Sequence, residues 1–190
     1  MKRLGRALPL LILAGMIFSS LAQAMGRRTE LKHTATGAPV PAESLKIVIE
    51  KGARTLTLWS GSQKIKDYPV VLGLNPGGRK LHEGDFRTPE GDYVISSRYK
   101  HKRWQWFMGI SYPNESDRAA YEAAKKESLI PVVNGQMAGI GGSVGIHGTA
   151  SDALNRTKED WTFGCISLLS SDIKELAGTV KIGTRVEIKP

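Results

Sequence analysis

Between positions 46 and 72 the chain alternates apolar and polar residues in three successive runs, separated by breaks too short for anything but tight turns. The first run is Lys46-Ile47-Val48-Ile49-Glu50, and a turn at Lys51-Gly52 leads to Thr55-Leu56-Thr57-Leu58-Trp59. Gly61-Ser62 then turns the chain into a third run over residues 65–72. Strand side chains point alternately to the two faces of a sheet, so period-two runs are half-buried strands. Strands joined by short Gly-containing turns run antiparallel. The segment therefore predicts an antiparallel meander.

Residues 73–91 form a loop rich in Gly and Pro, holding Asn75-Pro76-Gly77-Gly78 and Thr88-Pro89-Glu90-Gly91, and residues 92–99 read as a further strand. One long helix is predicted over 114–129. Asn114 or Ser116 caps it, Glu115 and Asp117 suit its positive end, Lys125 and Lys126 suit its negative end, and Pro131 stops it. Its apolar face, Ala120, Tyr121, Ala124 and Leu129, is narrow, which puts it at the surface. Short strands follow at 145–147, 165–169 and 185–188, with a short helix near 171–176. The chain has no repeats and no low-complexity segment. The expectation is one mainly-β domain over 45–190 with a helix-containing insertion.

Residues 1–24 read as a secretory signal peptide. Lys2, Arg3 and Arg6 open it, residues 8–18 are apolar apart from Pro9 and Gly15, and Ala22-Gln23-Ala24 offers small residues for cleavage. The apolar run is short for a membrane span, and no cysteine follows it to take a lipid. Cleavage after Ala24 is expected, leaving 166 of the 190 residues, with 25–44 as a polar lead-in. The chain has 27 Lys and Arg against 18 Asp and Glu. Three of the basic residues lie in the signal, so the exported part carries about +6. A basic exported domain suits an anionic membrane or cell wall, the plainer alternative being general solubility. No basic run interleaved with aromatics resembles a nucleic-acid site.

Cys165 is the only cysteine. Exported proteins usually pair their cysteines, so a lone thiol there is either an inert buried residue or a nucleophile. His147 lies 18 positions upstream in Gly145-Ile146-His147-Gly148. An imidazole can take a thiol's proton or stabilise the thiolate, and His147 is the best candidate base. Gly148 is expected to leave the imidazole approachable. Gly164 lets a carbonyl approach, so the Gly164 and Cys165 amides are candidates to hold an oxyanion. The alternative of a buried cysteine beside an unrelated histidine remains open on spacing alone.

His147-Gly148 followed by Thr162-Phe163-Gly164-Cys165-Ile166 resembles the L,D-transpeptidase catalytic domain, the YkuD-like family. Gly84-Asp85-Phe86-Arg87-Thr88-Pro89-Glu90-Gly91-Asp92-Tyr93-Val94-Ile95 is similar to that family's Thr-Pro-x-Gly turn leading into a strand. The run from Lys46, the segment 70–73 and the closing Gly183-Thr184-Arg185-Val186-Glu187-Ile188 also fit, so the resemblance covers about 45–189. It implies a mainly-β, sandwich or barrel-like catalytic domain and a role in cell-wall biogenesis and cell shape. Cys165 matches the nucleophile and His147 the base, with the Gly148 carbonyl orienting the imidazole and Thr162 matching the motif's Ser/Thr. The resemblance further implies a thioester formed on a peptidoglycan stem peptide, often at diaminopimelate, with loss of D-Ala, and no metal or organic cofactor. An amine acceptor then gives a cross-link or lipoprotein attachment, whereas water makes the enzyme a carboxypeptidase or amidase.

Two positions depart from the motif. Phe163 stands where the family usually has His, and Ser167 where it commonly has Arg, removing a fixed charge that recognises a carboxylate. Asp160-Trp161-Thr162-x-Gly-Cys-Ile resembles a branch that includes hydrolases releasing wall-linked lipoprotein. Trp161, Thr162, Phe163 and Ser167 are the candidate substrate contacts. Trp104, Trp106, Phe107 and Tyr112 either wall the groove or pack the core, the second being the plainer reading. Residues 100–142 are expected to contain a helix-bearing excursion that covers the site like a lid, against the alternative of a structural insertion with no gating role. His33, His82 and His101 show no metal-ligand spacing, although His82 can approach the groove. Arg79, Lys80, Arg98 and Lys100 either attract acidic stem peptides or are solvated charge. A non-catalytic wall-binding module is the competing class, and the protein is expected to be a monomer.

Overall fold

A computed structural model of the chain describes residues 45–190. The expected signal peptide and lead-in lie outside the described residues. The meander forms as the alternation predicts: β1 (Leu45–Glu50), β2 (Thr55–Ser60) and β3 (Gln63–Pro69) pair antiparallel, with Ile47 opposite Leu58 and Thr57 opposite Asp67. Leu45, Ile47 and Ile49 are buried while Lys46, Val48 and Glu50 face outward. Later in the chain come β4 (Gly91–His101), β5 (Gln105–Ile110), β8 (Gly145–His147), β9 (Ile166–Ser167) and β10 (Arg185–Lys189). These eight strands form one curled sheet in the order β3-β2-β1-β10-β4-β5-β8-β9. The last strand is central, parallel to β1 and antiparallel to β4.

The third run stops earlier than its pattern suggests. Pro69 closes β3, and the chain then leaves β2 so that Val71 pairs with Ser167 and Gly73 bridges Thr162. This crossing joins the two ends of the sheet and curls it into a half-barrel. It also brings the segment after β3 against the loop that carries Cys165. Strand pairing at 165–169 is likewise limited to two residues, because Gly164 takes a φ of +125° and bends the approach to β9.

Residues 100–142 contain a helix-bearing insertion, but not over their whole length. Lys100 and His101 end β4, and Gln105–Ile110 form β5, inside the sheet. Phe107, Met108, Gly109 and Ile110 are all buried, so β5 has no alternation to read. The insertion proper holds α1 (Glu115–Lys126) and a small hairpin, β6 (Val132–Val133) with β7 (Gln136–Met137). Asn114 and Asp117 form a reciprocal capping box on α1, and α1 buries only Asp117 and Ala124. Two further helices are α2 (Asp152–Arg156) and α3 (Ser170–Thr179), the latter longer than predicted. α3 packs on β5 and buries Ile173, Leu176 and Ala177 in the core that lines the sheet.

Candidate active site

β8 and β9 run parallel, with Ile146 beside Ile166 and His147 beside Ser167. Ile146 and Ile166 are fully buried in the core. Alternation then directs His147 and Ser167 to the other face. Cys165, one step before Ile166, shares that face, so the sheet's pleat brings the thiol and the imidazole to the same side.

His147 is 2% exposed. Its Nδ1 lies 2.6 Å from the Gly148 carbonyl oxygen. A carbonyl only accepts, so Nδ1 carries the proton and the neutral ring presents its lone pair at Nε2. The ring stacks on Trp104 at 4.4 Å and lies 6.0 Å from both Phe107 and Trp161. Burial is the main reason its pKa is lowered to about 4; the Gly148 carbonyl opposes the shift and His101 adds a little to it. At neutral pH the imidazole is therefore an uncharged base. Cys165 is half-buried, with Sγ 3.8 Å from the Ser143 carbonyl oxygen. Burial raises its thiol pKa, against the pull of the Gly145 backbone and the Lys80 cation. Thiol and imidazole thus rest uncharged, and ionisation of sulfur has to accompany proton transfer.

The residues around the pair divide into two groups. Ser167 has no exposed surface. Its hydroxyl accepts from Asn155 Nδ2 at 3.1 Å and donates to the Gly148 carbonyl at 3.2 Å. Expected as a substrate contact, it instead steadies the oxygen that orients His147. Thr162 is also buried: its hydroxyl donates to the Cys165 carbonyl at 2.7 Å and accepts from the Gly164 amide at 3.2 Å. It latches the Cys165 loop and does not meet substrate. Of the two amides expected to receive an oxyanion, that of Gly164 is already engaged by Thr162. Gly164 is required sterically, since a Cβ there would stand 2.7 Å from the Arg87 carbonyl oxygen.

Trp161 and Phe163 are the two candidate contacts that keep open surface. Trp161 is half-buried, its Nε1 donating to Asn155 Oδ1 at 2.9 Å and its ring set edge-on to His147. Phe163 is 75% exposed and leans on Phe86 with ring centroids 5.2 Å apart, a two-ring rim beside the nucleophile. The loop is anchored beneath by Asp160, which takes Arg54 at 2.6 Å and the Leu72 amide at 2.7 Å.

Gly148 is not small to admit substrate. A Cβ there would meet the Trp104 carbonyl oxygen at 2.6 Å and Ile173 Cγ2 at 2.7 Å, so protein fills the space. Trp104 and Phe107 support the back of the imidazole, Trp106 lies under Arg98, and buried Tyr112 donates to the Ile140 carbonyl at 3.1 Å. The return limb of the insertion passes the thiol at Ser143, while Arg79 pairs with Asp117 and Lys80 with Asp85. Arg98 donates to the Ala177 carbonyl at 2.7 Å, and Lys100 sits 6.0 Å above Trp106. His101 stacks on Trp104, whereas His82 lines a cavity near Phe86. His33 lies outside the described residues. Sequence reasoning passed over Asn155 and the Trp104 stacking role, because neither has a neighbour in sequence that marks it.

A search of curated proteins returns no match. Among solved structures, the fold is similar to the helical cell shape determining protein Pgp2 from Campylobacter jejuni, at 22% identity and a TM-score of 0.55, over 77% of this chain and 48% of that one. Bd1075 of Bdellovibrio bacteriovorus aligns at 24% identity and a TM-score of 0.52, over 76% and 47%. An L,D-transpeptidase from Mycobacterium smegmatis aligns at 11% identity and 0.51, over 77% and 59%. The matched part is about half the length of the first two proteins. A family model of the L,D-transpeptidase catalytic domain, YkuD, matches residues 44–188. With the same curled sheet and a match across most of its length, the chain belongs to the L,D-transpeptidase catalytic-domain family.

Proposed function

We propose that the protein is an exported cysteine acyltransferase, an L,D-transpeptidase that acts on peptidoglycan stem peptides in the periplasm through a thioester on Cys165. The observation that carries this is the buried, uncharged His147, whose Nδ1–H is held by the Gly148 carbonyl on the face that also presents the Cys165 thiol. In the reaction, Sγ attacks the amide carbonyl before the terminal D-Ala as His147 Nε2 takes the thiol proton. The Cys165 amide faces the oxyanion. Collapse forms the thioester and releases D-Ala, with the proton passing from His147 to the leaving amine. An acceptor amine then displaces Cys165 as His147 removes its proton. The secretory start read at residues 1–24 supports a wall location, and the fold likeness to Pgp2 is compatible with an effect on cell shape.

Mass spectrometry of muropeptides after incubating sacculi with the protein tests this. The expected result is new 3→3 dimers that disappear with Cys165→Ala and with His147→Ala, while both variants stay folded. Cys165-dependent loss of D-Ala, or release of a lipoprotein fragment, without dimers identifies water as the acceptor. Full activity of either variant removes the mechanism. No product from the unaltered protein leaves a wall-binding module, with salt-sensitive binding to sacculi.

A further inference from the structure

The segment 75–87 and Leu129, just after α1, line a cavity of about 580 Å³ beside the Cys165 loop. Leu81, Phe86 and Leu129 give it apolar walls, and Asn75, His82 and Arg87 bring polar groups to it. It adjoins the nucleophile on two sides: Phe86 packs against Phe163, and the Arg87 carbonyl packs on Gly164, the residue before Cys165.

Asp85 also borders the cavity, but its carboxylate is fully engaged. Oδ1 receives Lys80 Nζ at 2.7 Å and the Arg87 amide at 3.0 Å, and Oδ2 receives the Leu81 amide at 2.7 Å and the His82 amide at 3.2 Å. The Lys80 and Asp85 charges cancel, both side chains being almost wholly buried. Arg87 differs. Its Nε is buried without a hydrogen-bond partner, and its Nη1 reaches the Arg79 carbonyl only at 3.5 Å. Among the described residues no carboxylate pairs with it. Arg79 also leaves Nε unpartnered, but its guanidinium is already joined to Asp117. A guanidinium is always charged and its planar fork matches a carboxylate. Leaving such donors unsatisfied is costly, and an incoming carboxylate relieves that cost. Position 167 cannot supply the cation, since Ser167 is sealed inside the protein.

We infer that Arg87 and this cavity form a carboxylate subsite, which selects stem peptides bearing a carboxylate on an aliphatic arm. The assignment rests on the peptidoglycan reading above. Leu81, Phe86 and Leu129 take the arm, and Arg87 takes the charge. Two carboxylates flank the amide before the terminal D-Ala when the third residue is diaminopimelate: the terminal one and the one on that residue's side chain.

Calorimetric titration of the Cys165→Ala protein with a synthetic stem tetrapeptide tests the assignment. The peptide is used as the free acid, with its terminal carboxylate amidated, and with its side-chain carboxylate amidated. The free acid binds, and Arg87→Gln weakens it by about tenfold or more. Arg87→Lys recovers part of the loss. The amide that lacks the recognised carboxylate binds weakly and is indifferent to Arg87→Gln, which identifies the carboxylate concerned. Leu129→Glu, on an exposed wall, weakens the free acid by repulsion without altering Arg87; if Arg87→Gln fails to fold, this variant decides. Free-acid binding unchanged by both substitutions, or weakening of all three peptides alike, overturns the subsite and leaves the peptidoglycan reading intact. Failure of every peptide to bind overturns both.

Discussion

The Gly148 carbonyl oxygen accepts from His147 Nδ1 and from Ser167 Oγ, while Asn155 holds that hydroxyl in place. A main-chain oxygen thus does the orienting, and position 167 belongs to its support. Restoring the motif's arginine as Ser167→Arg forces a charge into a fully buried site. We expect a loss of about 3–5 kcal/mol in urea unfolding, together with loss of turnover; a stable, active variant contradicts the placement of Ser167. The burial of His147 makes a second prediction. The unfolded chain binds this proton near 6.5 and the native protein near 4. Between those values the unfolded state holds more protons, so stability falls as pH drops from about 6.5 to about 4 and this contribution is level above. The same group sets the acid limb of kcat/KM near pH 4. A limb near 6.5 in the pH–rate profile means that the ring is open to water in the free enzyme.

At the scale of elements, α1 shows how much a local pattern can specify. Asn114 accepts from the Asp117 amide at 3.0 Å, Asp117 returns the bond to the Asn114 amide at 3.0 Å, and Asn114 Nδ2 ties the helix start to the Asp92 carbonyl at 2.9 Å. Asn114→Ala removes the two bonds made by its side chain and keeps the one from the residue-114 amide to Asp117, and we expect about 1 kcal/mol lower stability by denaturant titration. No change in midpoint rejects the cap as a stabilising device. This helix and the β1–β3 meander were legible because their signals lie within a few residues. β5 was not, since burial on both faces erases period-two alternation. α2, only five residues long, has too little pattern to read.

For the whole molecule, the central position of β10 ties the chain's end to its beginning. Val186 and Ile188 are almost fully buried between β1 and β4. Removing residues 185–190 leaves two unpaired strand edges in the middle of the sheet and deletes core side chains. The expected outcome is loss of a cooperative thermal transition in circular dichroism; a truncated protein that still unfolds cooperatively contradicts the sheet order. The crossing from Val71 to Ser167 acts at the same scale, because it presses the Arg87 segment against the Cys165 loop.

The sequence by itself determined the meander, the capped helix and the pairing of Cys165 with His147 as candidate nucleophile and base. Each rests on turn chemistry, periodicity or a compact motif that neighbouring residues carry. Only the tertiary structure decided that Ser167 and Thr162 are internal supports, that Gly148 is small to accommodate Trp104 and Ile173, and that Arg87 borders the nucleophile. Burial, pKa and hydrogen-bond satisfaction depend on which distant segments meet, and a one-dimensional pattern contains no measure of that enclosure.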